Sequence, residues 1–95
     1  MYGLVYALVA AAVGVGVTAV VVHRINRSRI KAEAEKLRKR GELTAHIKSM
    51  YRSGNYNSVN IGLHDQNSNE TQEIKITGQE IASDLRVGDV IYLSY

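Results

Sequence analysis

Three histidines, at positions 23, 46 and 64, are the side chains here best suited to hold a metal or move a proton near neutral pH. They are far apart, and no HxxxH or HExxH spacing occurs, so the helical zinc motifs are excluded. Cysteine is absent, which removes disulfides, thiolate zinc sites and iron–sulfur clusters. Asp65, Asn67 and Asn69 occupy the first three odd positions of a calcium loop. Glu70 then stands where that loop needs glycine, and Ile76 where it needs its closing glutamate, so the stretch reads as a solvated hairpin turn. His64 and Asp65, like Ser83 and Asp84, are chain neighbours, and neighbours in a strand point to opposite faces, which is poor geometry for a proton relay. The carboxylates beyond residue 53 are scattered and read as solubilising charge. The expectation is no catalytic residue, no cofactor, no metal and no enzyme.

What must position any other function is an unusual N-terminus. Residues 2–22 contain no Asp, Glu, Lys or Arg. As a helix at about 1.5 Å per residue, they would extend roughly 31 Å, close to the hydrocarbon thickness of a bilayer. A cleaved signal peptide needs a basic stretch ahead of a shorter apolar core; only Met1 precedes this run. The spacing therefore predicts a retained transmembrane helix over residues 1–23. Arg24, Arg27, Arg29 and Lys31 follow it and are the expected contacts to anionic lipid headgroups. By the positive-inside rule the N-terminus lies outside and the C-terminal domain in the cytoplasm, a single-pass protein of the cell membrane. Gly3, Ala7, Ala10 and Gly14 form a small-residue stripe suited to close helix–helix packing, with a membrane-protein partner or in a homo-oligomer.

The charge is unevenly divided. Residues 24–40 carry +6 and residues 41–95 carry −3, which together make the overall +3. The basic pI near 9.3 thus belongs to a neck, and an acidic head is not expected to bind nucleic acid. The neck, residues 24–41, is rich in helix formers, and Ile30, Ala34 and Leu37 make a thin apolar stripe. It is expected to continue the membrane helix as one rod or after a bend near residues 26–28, ending at Gly41.

Residues 42–95 change to a period of two. Leu43, Ala45 and Ile47 alternate with polar residues, which favours a strand although Leu43, Ile47 and Met50 also suit a short helix; Val59, Ile61 and Leu63, then Ile74 and Ile76, alternate likewise. Turn signals stand at residues 53–55 and 65–69, Gly78 reads as a strand breaker, and residues 79–85 as one helical turn before a last strand at 90–94. The fold class expected is a small mostly-β domain of four or five short antiparallel strands, a curled sheet or barrel of SH3-like or OB-like type. Residues 85–93 resemble an element common to such barrels.

One span, a basic flank and a small β domain make, in layout only, a chain similar to the small accessory subunit of the bacterial preprotein translocase; that family's glycine-rich signature does not occur here. The expectation is a non-enzymatic membrane-anchored accessory or adaptor protein presenting a β module for protein–protein interaction. The alternative is a small oligomerising membrane protein of holin or pore-forming type, acting through its Gly/Ala-rich helix.

Overall fold

A computed structural model describes residues 17–94. Strand β1 (Val17–Ile25) leads directly into helix α1 (Arg27–Leu37), followed by strands β2 (Glu42–Ser53), β3 (Tyr56–Asp65), β4 (Glu70–Ile81) and β5 (Val90–Tyr92). The strands form one five-stranded sheet in the order β1-β4-β3-β2-β5. β1 runs parallel to β4, and every other pairing is antiparallel. The sheet is therefore mixed and open, with β1 and β5 at its edges, and is not a closed barrel.

The alternation that reads as strands also selects the buried face. Ala45 and Ile47 of β2, Val59, Ile61 and Leu63 of β3, and Ile74 and Ile76 of β4 are all buried on one side. Helix α1 covers that side. Ile30 and Ala34, one turn apart, are buried in the same cluster as Ile25, and Leu37 packs against it. Fully burying a side chain such as Ile30 is worth about 1.5–3 kcal/mol, which outweighs the weak helix-forming tendency of so short a segment. Asn26 sets the start of α1: its Oδ1 accepts from the Arg29 backbone N–H at 2.8 Å, satisfying one of the otherwise unpaired first-turn donors. The helix ends at Leu37, before Gly41. That glycine instead serves the turn into β2, with φ +92°.

Strand β1 corrects the expected membrane helix over its last part. Val17 through Val22 are strand, registered with Glu73 through Gly78, and the helix does not run on into α1 as one rod. Four of these six residues are valine and one is threonine, stiff β-branched side chains that suit a pleated sheet as well as they suit lipid. Val20 and Val22 pack against the core while Val21 faces outward. Residues 1–16, with the remainder of the expected span and the Gly3, Ala7, Ala10 and Gly14 stripe, lie outside the described residues. Among the described residues no helix is long and apolar enough to cross a membrane.

The presence of β1 also explains two further differences. Gly78 does not break β4, which continues to Ile81 because β1 pairs alongside it as far as Ile25. The expected helical turn at 79–85 is replaced by the end of β4 and a turn at 83–84. Gly78 is needed for close approach: a Cβ there would lie 3.0 Å from Cγ1 of Ile25 and 3.1 Å from the carbonyl oxygen of Val22. The β2–β3 hairpin turns at Gly54, which takes φ +59° at the first central position of a two-residue loop.

Candidate functional site

Three surfaces combine chemistry with exposure: the outer face of the sheet, the edge of β1 that is unpaired among the described strands, and the two ends of the sheet where the cations gather.

On the outer face, β2 contributes His46 and β3 contributes His64. The two imidazoles stack with centroids 3.8 Å apart and planes 21° from parallel. The Thr44 hydroxyl lies 3.0 Å from His46 Nε2, and His64 Nδ1 lies 3.2 Å from the Ser68 carbonyl oxygen. Glu70 reaches across, with its Oε1 3.8 Å from His64 Nε2 and its Oε2 accepting from Lys48 Nζ at 2.9 Å. Lys48 also meets Glu73 at 3.4 Å. Gly62 makes this possible, because a Cβ there would overlap the Glu70 carboxylate. Burial, with the neighbouring His64 second, holds the His46 imidazole below its ordinary pKa. The hydrogen bond that Lys48 donates to the Glu70 carboxylate holds its ammonium above the ordinary pKa.

This arrangement provides a stacked imidazole pair beside an ion triad of one lysine and two glutamates, net charge −1. Asp65 stays out of it, since its Oδ1 accepts from the backbone N–H groups of Asn67 at 2.9 Å and Asn69 at 3.0 Å. The stretch that starts like a calcium loop is thus a hairpin turn tied by its own aspartate. Among the described residues, no group of three or more His, Asp or Glu is placed to hold a metal ion.

The expected headgroup cations are brought together only in part. Arg24 is the last residue but one of β1, and Arg27 and Arg29 open α1, so these three share one end of the sheet, with Lys31 a turn further on. Arg27 Nη2 donates to Asp89 Oδ2 at 2.7 Å, and its Nε lies 3.9 Å from Asp84. Asp89 Oδ2 also accepts from the Arg86 backbone N–H at 2.9 Å, so Arg27 ties the loop before β5 to the start of α1. Arg29 lies 3.6 Å from Glu33. The chain enters β1 at the opposite end, where Val17 is registered with Glu73. With about 3.3 Å per strand residue, Arg24 stands roughly 23 Å from Val17.

That entry end holds a group not foreseen from the sequence. Glu42 is 1% exposed. Its Oε1 accepts from the Lys39 backbone N–H at 2.5 Å and from Gln72 Nε2 at 2.9 Å, and its Oε2 from the Thr71 hydroxyl at 2.6 Å. Gln72 Nε2 additionally donates to the Leu37 carbonyl at 3.1 Å, closing the end of α1 onto β4. A glutamate at the start of a strand ordinarily reads as solvated charge, and no feature of local sequence marks this one. Beside it an open cleft of about 460 Å³ lies between the turn of Lys39, Arg40 and Gly41 and the turn of Asp65, Gln66 and Asn67.

The edges differ in kind. β5 is three residues long, whereas β1 offers nine residues paired on one side only among the described strands. Tyr92, 75% exposed, and Val90 add apolar surface near the short edge.

Comparison with protein families, curated proteins and solved structures finds no match to this chain.

Proposed function

We propose that this protein is a non-enzymatic interaction module held at a membrane surface by its uncharged N-terminal segment, with β1 as the edge on which a partner chain adds a strand. The carrying observation is that, among the described residues, β1 is paired on one side only. Sheets usually protect such edges with shortness, charge, proline or a bulge. β5 is short; β1 is long and has no charge or proline through Val22. Main-chain hydrogen bonds to an added strand supply affinity, and the alternating side chains supply selectivity. A membrane-crossing helix over residues 2–22 and strand β1 make competing claims on Val17 through Val22. This reading leaves those residues to the sheet and gives the membrane role to residues 1–16.

A photo-crosslinking residue in place of Val21, in the full chain in its native cells, tests the reading. The expected result is a discrete higher-mass adduct in the membrane fraction, abolished by Val20→Pro. Recovery of the whole chain from the soluble fraction, or labelling without any adduct, would overturn it.

A further inference from the structure

We propose that the module stands on an anionic lipid surface by the end of the sheet that carries Lys36, Lys39 and Arg40, and that Arg24, Arg27 and Arg29 point away from the lipid. The inference rests on the membrane attachment proposed above and specifies which surface meets the headgroups.

The path of the chain carries the argument. Residues 1–16, the part of the uncharged run given to the membrane above, lead into β1 at Val17, beside Glu73 of β4. From there β1 runs the length of the sheet before delivering Arg24, and α1 then runs back, so that Leu37 meets Gln72, the neighbour of Glu73. Lys39 and Arg40 follow directly and are exposed at the same end as Val17. Three strand spacings separate β1 from β2, about 14 Å across the end of the sheet, so these cations lie beside the point where the chain enters rather than above it.

Distance and pairing then choose between the two cation groups. The Debye length is about 8 Å at physiological ionic strength, so a charge roughly 23 Å from the entry point, beyond two such lengths, gains little from a charged surface there. Arg27 is also committed to Asp89, while Arg29 shares the Glu33 carboxylate with Lys36. Among the described residues neither Lys39 nor Arg40 has a carboxylate within ion-pair reach, and Lys36 has only Glu33, at 3.4 Å. The acidic groups at the entry end are occupied. Glu42 is buried and bonded, Asp65 ties its own turn, and Glu70 and Glu73 share Lys48.

The test is flotation of the full chain with phosphatidylcholine vesicles and with vesicles containing phosphatidylserine. Each cation at an anionic leaflet strengthens binding about fivefold. The variant K39Q/R40Q is therefore expected to lose roughly twenty-five-fold of the preference for phosphatidylserine, and R24Q/R29Q less than twofold. The reverse ranking, or equal losses, overturns the orientation while leaving attachment intact. Failure of the unaltered chain to float with either vesicle, or flotation unaffected by Leu4→Lys with Leu8→Lys, overturns the attachment itself. Because the chain has no cysteine, single labels can give an independent reading. A fluorophore on Gln66→Cys is expected to be quenched by brominated lipid and one on Ser28→Cys to be spared; quenching of the second alone would refute the orientation.

Discussion

Replacing Gly78 with alanine puts the central finding, strand β1 in the sheet, to a test of sign. In a strand with an open neighbouring face, Gly→Ala restricts the unfolded chain and stabilises by about 0.5–1 kcal/mol. In this structure the new methyl group meets the Val22 carbonyl oxygen at 3.1 Å, the His23 carbonyl oxygen at 3.3 Å and Ile25 Cγ1 at 3.0 Å. Two of those neighbours are backbone atoms of β1, which cannot swing aside without disturbing its pairing with β4. Overpacking of this kind costs about 1–3 kcal/mol, so the net expectation is a loss of roughly 0.5–2 kcal/mol. Urea denaturation followed by circular dichroism reads this directly. At a slope of about 1–3 kcal/mol per molar, the midpoint should fall by a few tenths of a molar or more. A midpoint that rises would mean that β1 is not docked on β4, and the mixed sheet with β1 at its edge would fall with it.

Glu42→Ala should cost about 2–4 kcal/mol in the same assay, because the Thr71 hydroxyl, the Gln72 amide and the Lys39 N–H lose a buried acceptor together; a change below 0.5 kcal/mol, on the order of a surface substitution, would refute that role. Proton NMR should show His46 titrating below the ordinary histidine value and moving upward in His64→Ala, since burial and then His64 depress it. The folded state binds the His46 proton less tightly than the unfolded state, so the contribution is complete above the ordinary value of about 6.5 and is lost as pH falls below it. A His46→Asn variant whose stability keeps the same slope with pH in that window would exclude this assignment.

Much of the sheet is legible in the linear pattern. The alternation at Ala45 and Ile47, at Val59, Ile61 and Leu63, and at Ile74 and Ile76 specifies both the strands and their buried face, because a period of two leaves only one way to cover the apolar side chains. Ile30, Ala34 and Leu37 likewise mark the face of α1 that packs inward. The turn at 65–69 is local chemistry, since Asp65 bonds to its own following amides. These features depend on residues close in sequence.

Tertiary structure decided the rest. A valine-rich uncharged run satisfies either lipid or a sheet edge, and only the presence of β4 as a partner makes Val17 through Val22 a strand. Once β1 is there, Gly78 changes from a breaker to a point of close passage, and β4 lengthens to Ile81. The buried Glu42 and the His46–His64 stack require contacts between strands whose register no single segment encodes. Composition placed eight cations in one short stretch, but the return of α1 along the sheet separated them into two groups at opposite ends. Local periodicity determines which way side chains face; which segments become neighbours depends on pairing energies that are realised only when the whole chain folds.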